Sequence, residues 1–203
     1  MERVIVYIDG FNLYFGLCDK GWRRYLWLDL PALATTLLKP GQKLVATKYF
    51  TSRVRADPAK IVRQSTYLQA LEARGGLSIH FGRYQERSKQ CHCCQAAWIE
   101  YEEKMSDVRL ASELLRDTYT DRYDIALIVS GDADLQPPME IIKLDHPSKR
   151  VVVVFPPERD SYHLRSIAHE YFRIGRARLS KSQLPAVVKK ADGYALRRPV
   201  EWR

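Results

Sequence analysis

Unbroken apolar runs alternate with helical patterns along this chain. Residues 3–8, 125–129 and 150–155 carry almost no polar alternation, which predicts parallel strands buried on both faces. A further strand is expected at 44–51. The run at 77–84 alternates Leu77, Ile79 and Phe81 with Ser78, His80 and Gly82, the pattern of a half-exposed or edge strand. Helices fill the intervals. Asp29 caps one over 30–38, with Pro31 in its first turn. Asp57-Pro58 opens a longer one that Gly75-Gly76 ends, with Ile61, Leu68 and Leu71 expected in the core. Residues 107–119 place Val108, Leu110, Ala111, Leu114 and Leu115 on an apolar stripe. Two more helices are expected at 135–144, with Pro137 and Pro138 in the first turn, and at 162–170, before a short edge strand at 172–174. Strand and helix in alternation predict an α/β fold with a mainly parallel central sheet.

Composition adds the class of partner. The 203 residues suffice for one α/β domain with a sizeable core. The net charge is +9, and residues 171–203 hold nine Lys and Arg against Asp192 and Glu201. Such a surface attracts polyanions, nucleic acid above all. No apolar run approaches the roughly 20 residues that span a bilayer. The first residues lack the apolar core and cleavage site of a signal peptide, so no membrane partner and a cytoplasmic location are expected. Four cysteines, three of them clustered, do not form a secreted disulfide framework.

The chemistry concentrates at strand ends. The strand 125–129 stops at Ser130-Gly131-Asp132-Ala133-Asp134, and the first strand stops at Asp9-Gly10-Phe11-Asn12. Open α/β sheets bind their ligands at the carboxyl ends of strands. A turn and a helix cap account for one Asp each. They do not account for two acids beside a glycine. Asp107, at a helix start, reads either as an acid favoured by the helix dipole or as a third member of the cluster. Carboxylates that converge with no His or Cys partner repel one another unless they hold cations or share protons. All-oxygen ligation selects hard ions such as Mg²⁺ or Mn²⁺. An acidic cluster on a basic chain suits metal-dependent phosphodiester hydrolysis.

These residues resemble a known family. Asp9-Gly10-x-Asn12, Lys104-x-x-Asp107-Val108-x-Leu110-Ala111 and Ser130-Gly131-Asp132-x-Asp134 look like the NYN domain, in its LabA-like or DUF88 branch, of the PIN-like nuclease superfamily. The ending of the chain, Asp192-Gly193 and Arg198-Pro199-x-x-Trp202, is similar to that of bacterial members of the branch. The resemblance implies a three-layer PIN-like fold with helices on both faces of the sheet. It implies an endoribonuclease dependent on Mg²⁺ or Mn²⁺, with Asp9, Asp107, Asp132 and Asp134 at the metals. Asn12 and Ser130 would orient ligands or phosphate, and Lys104 would contact phosphate. Arg53 and Arg55, after the second strand, are further candidates for holding RNA. The nuclease domain would span residues 1–175, with an insertion at about 85–98 and a basic extension over 176–203. A homo-oligomer is compatible with this plan.

Other motifs stay open. Cys91-x-x-Cys94 is half of a zinc site, with the remaining ligands supplied from elsewhere in the chain or by a second subunit, or it is a pair of free thiols. The stretch 22–27, WRRYLW, either stacks on a nucleic-acid strand or packs a loop onto the domain. A haloacid-dehalogenase-type phosphatase needs an Asp where Phe11 stands, and a toprim-type site normally has Glu in place of Asp9. No glycine-rich dinucleotide or P-loop motif is present. Two function classes remain: a metal-dependent ribonuclease, and a non-catalytic nucleic-acid-binding or regulatory module with the same acidic pocket.

Overall fold

A computed structural model describes residues 1–55 and 57–203, with 84–86 and 100–103 described by their backbone alone. Its centre is β1 (Glu2–Asp9), which pairs in parallel with β2 (Gln42–Thr51) on one side and β6 (Ile125–Val129) on the other. β3 (Ser78–Phe81), β7 (Arg150–Phe155) and β8 (Glu170–Arg173) complete a six-stranded parallel sheet of order β3-β2-β1-β6-β7-β8. Successive residues of β1 serve opposite faces. Val4, Val6 and Ile8 enter one core, and Ile5 and Tyr7 the other. α1 (Gly10–Asp19), α2 (Leu30–Leu37) and α3 (Pro58–Arg74) cover the first face through Leu13, Leu17, Leu33, Leu68 and Leu71. α4 (Ser106–Tyr119), α5 (Gln136–Asp145) and α6 (Tyr162–Ile167) cover the second through Leu110, Leu114, Met139, Ile142 and Leu164. This is the three-layer PIN-like arrangement. Each fully buried Leu or Ile contributes roughly 1.5–3 kcal/mol. Among the described residues no helix is long and apolar enough to cross a membrane.

From β1 the chain moves outward to β2 and β3, then returns across the sheet to β6 on β1's other side. The connections therefore diverge between β1 and β6, which opens a crevice at their carboxyl ends. Gly10 lets α1 start there. A Cβ on it would lie 2.7 Å from the Tyr49 ring and from the Phe50 carbonyl oxygen.

Several local expectations give way to tertiary context. β3 ends at Phe81 rather than at residue 84. Arg83–Gln90 (β4) and Ala97–Lys104 (β5) then form an antiparallel hairpin outside the main sheet, with the cysteine cluster at its turn. Gly82 is needed where the hairpin leaves, because a Cβ there would stand 2.4 Å from Ser52 Oγ and 2.8 Å from the Lys104 carbonyl oxygen. Val108 is 65% exposed, not buried. It lies two residues before Leu110 and so faces away from Leu110's stripe. Ile61 is also exposed, in the first turn of α3, although it shares a helical face with Leu68. Trp27 and Tyr25 are buried, and Trp27 Nε1 donates to the Pro185 carbonyl at 2.8 Å, so the stretch 22–27 packs a loop.

The basic segment after β8 is folded. α7 (Arg176–Lys181) precedes a small hairpin of β9 (Val187–Lys189) and β10 (Ala195–Arg197). Leu179, Leu184, Val188, Leu196 and Trp202 join the first core, and Trp202 meets Tyr67 edge-on at 5.8 Å.

Candidate active site

Asp9 ends β1 and caps α1. Its Oδ1 accepts the Asn12 N–H at 3.0 Å, and its Oδ2 accepts the Ser130 hydroxyl at 2.8 Å. Ser130 Oγ in turn accepts the Asp132 N–H at 3.1 Å. Asn12 Oδ1 accepts the Gly131 N–H at 2.9 Å. The two motifs that the sequence sets at separate strand ends are thus one hydrogen-bonded unit. Asp107, in the first turn of α4, faces the same cleft of about 390 Å³, with Asp9, Asp132, Asn12, Phe11 and Arg159.

Asp9 is 5% exposed. Burial pushes its carboxyl up to about 7, and the Asp107 and Asp132 charges push in the same direction. The Asn12 N–H and the Ser130 hydroxyl oppose the rise. Adding negative charge at this point is costly, and a cation in the cleft relieves the cost. Among the described residues, no three His, Cys, Asp or Glu side chains are placed to close on one ion. The carboxylate, amide and hydroxyl oxygens present suit a hard divalent ion that keeps water in part of its shell, as Mg²⁺ does.

The other predicted residues lie around this unit or apart from it. Asp134 is exposed and outside the cleft lining, and its N–H caps Asp132 Oδ1 at 3.0 Å. Arg53 and Arg55 are exposed just past β2, with the Arg53 guanidinium 4.8 Å from the centre of the Phe81 ring. Lys104 ends β5 and does not line the cleft. Cys91 and Cys94 sit at the hairpin turn as free thiols, and neither Cys18 nor a histidine joins them in a metal group among the described residues. The sequence reading missed Arg159. It follows β7 through Pro156-Pro157, lines the cleft, and pairs with Asp19 at 2.6 Å. Its position just past the carboxyl end of a central strand was the available signal.

A six-stranded parallel sheet between two helical layers is consistent with the PIN-like class. The NYN domain pattern matches residues 3–175, and the chain belongs to that family. It is 30% identical to 6-hydroxy-3-succinoylpyridine 3-monooxygenase HspA of Pseudomonas putida, over 92% of this chain and 71% of that protein. The crystal structure of VPA0982 from Vibrio parahaemolyticus, a protein of unknown function, superposes with a TM-score of 0.61 at 20% identity, covering 90% of this chain and 96% of that one. That likeness concerns the fold.

Proposed function

We propose that this chain, a LabA-like member of the NYN family, is an endoribonuclease that works with Mg²⁺ or Mn²⁺. One observation carries the reading: a buried Asp9 shares an open cleft with Asp107 and Asp132 at the carboxyl edge of the sheet. When bound, the ion supplies Lewis acidity toward a phosphodiester and makes water more acidic. Asp9, Asp107 and Asp132 line the cleft in which it would sit, and since no three of the described side chains close on one ion, bound water would bridge part of that set to it, with Asp134 behind Asp132. Asn12 and Ser130 fix the Asp9 carboxylate and the Gly131 loop, so the acids keep their spacing as charge builds up on phosphate. Arg159 lines the cleft while paired with Asp19, and Arg53, Arg55 and Lys104 are proposed contacts for the strand beyond it.

Incubating labelled RNA and DNA panels with Mg²⁺, Mn²⁺ or EDTA tests the reading. Metal-dependent RNA cleavage that Asp132→Asn removes supports it. RNA binding without cleavage in either metal replaces it with the non-catalytic module. The named relative suggests a second reading, a small ring acid as substrate. A cavity of about 490 Å³ beside the cleft favours it. Incubation with 6-hydroxy-3-succinoylpyridine, isotopically labelled oxygen and a reductant, read by mass spectrometry for loss of the substrate and a labelled oxygen atom in a product, tests that reading.

A further inference from the structure

The cavity beside the cleft has the size of a ligand site, within the range of roughly 300–1,000 Å³. α1 stands between cavity and cleft. Phe11 and Phe15, one helical turn apart and stacked at 6.1 Å, line both. Aromatic rings line much of the interior, with Thr51 and Gln64 among them. Tyr49, Tyr67 and Trp202 are all at least nine-tenths buried. The tyrosine hydroxyls are already engaged, Tyr67 donating to the Leu28 carbonyl at 2.9 Å and Tyr49 bonded to Thr51. What these residues offer a guest is therefore ring surface.

The mouth has the opposite character. Arg23 and Lys60 line it and are exposed, Lys60 with Asp57 at 3.8 Å, and Arg63 lines it while paired with Glu201 at 2.9 Å. Asp19, an acid on the same lining, is neutralised by Arg159 at 2.6 Å. An apolar aromatic chamber favours a flat ring that sheds its water. A cationic rim favours an anion that keeps some of its own. A ligand with both parts satisfies the site. A bare anion gains nothing from the chamber, and an uncharged ring gains nothing from the rim.

We propose that this cavity binds one planar aromatic ring carrying an anionic arm, beside the acid cleft and across Phe11 and Phe15 from it. Two sources supply that chemistry: a nucleotide of an RNA strand lying over the cleft, or a free heteroaromatic acid. The site does not depend on the hydrolytic reading, and where the ligand is a free acid it rests on and deepens the second reading given above.

Calorimetric titration of the full chain tests the site. The probes are the four nucleoside 5′-monophosphates, nicotinate and 6-hydroxynicotinate, with inorganic phosphate and the uncharged nucleosides as controls. Arg23→Ala removes a rim charge from an exposed position. Val54→Trp fills the cavity, and circular dichroism checks that both variants fold. Saturable binding by one probe class is expected, at least tenfold tighter than the controls. It should weaken about tenfold in Arg23→Ala, the worth of one charge-assisted hydrogen bond, and vanish in Val54→Trp. Binding of nucleotides alone assigns the chamber to RNA, and binding of the free acids alone assigns it to a small molecule; either upholds the site. No saturable binding by any probe up to about 5 mM, or affinity unchanged in both folded variants, overturns it. RNA cleavage read in parallel separates the two ideas. A chain that cuts RNA but binds no probe loses the chamber and keeps the nuclease, and a chain that binds but does not cut does the reverse.

Discussion

Asn12 Oδ1 accepts the Gly131 N–H at 2.9 Å, a bond between residues 119 apart in sequence. It ties the start of α1 to the loop after β6. Together with the Ser130–Asp9 bond, it holds Asp9 and Asp132 on one rigid edge. Two consequences follow for the acids, and three for the frame and hairpin around them.

Replacing Asp132 by Asn keeps the Oδ1 that accepts the Asp134 N–H but removes one charge from the cleft. Folding should persist. Under the nuclease reading, cleavage of labelled RNA at saturating Mg²⁺ or Mn²⁺ should fall about 100-fold or more, the scale of losing a group that acts on developing charge. Asp9→Asn and Asp107→Asn should behave alike, and combining them should add little, since the acids act together. Wild-type rates in a preparation free of contaminating nuclease would refute the assignment.

Asp9 also sets a pH dependence of stability. Its carboxyl titrates near 7 in the folded chain and near 3.8 as a free side chain. The folded state therefore binds the extra proton between those values. The stabilisation is full below about pH 4 and is lost as the pH rises toward 7, on the order of 4 kcal/mol at most. In EDTA, Asp9→Asn should gain in Tm over wild type from pH 4 to 7, with the gap level above that. Mg²⁺ or Mn²⁺ should narrow the gap by stabilising wild type. Parallel pH profiles for the two proteins would contradict this account.

The opposite face of the sheet carries a buried charge network. Lys48 Nζ lies 2.5 Å from Asp117 and 2.7 Å from Glu113, and the Tyr7 hydroxyl donates to Asp117 at 2.7 Å. Lys48→Met leaves the buried Asp117 without its cation, while Glu113 keeps Arg116 at 2.7 Å. Urea denaturation should show a loss of about 3–5 kcal/mol, as when one partner of a buried pair is removed. A loss under about 1 kcal/mol would mean that the site is wetter than its burial implies.

Trp202, second from the end of the sequence, packs against Tyr67 and Trp27. Trp202→Ala should cost about 3 kcal/mol, the low end for emptying a buried aromatic site. Thermal unfolding measures it. An unchanged Tm would show that the last turn contributes nothing to the core.

Cys91 and Cys94 supply two of the four ligands that a zinc site needs. The backbone N–H groups of Cys94 and Cys93 hold the Cys91 thiol below its usual range. A monomer should bind no tight zinc, and Cys91, Cys93 and Cys94 should react readily with a thiol reagent. One zinc per two chains, with a dimer that chelator dissolves, would instead show that a second copy completes the shell.

The sequence by itself determined the frame. The apolar runs at 125–129 and 150–155 are strands within it, as predicted, because unbroken hydrophobicity has no stable place except between two layers. Asp29 and Asp57 cap helices where expected, since capping is a local hydrogen bond. The acids at strand ends were legible for the same reason: each motif is a few residues long. Tertiary structure decided what depends on partners far along the chain. It paired β4 with β5 in a hairpin outside the main sheet. It exposed Val108, on the face of α4 away from Leu110, and Ile61, in the first turn of α3. It brought Arg159 to the cleft, and Trp202 over α3 into the first core. Burial is a property of what lies opposite, and what lies opposite is fixed only when distant segments meet.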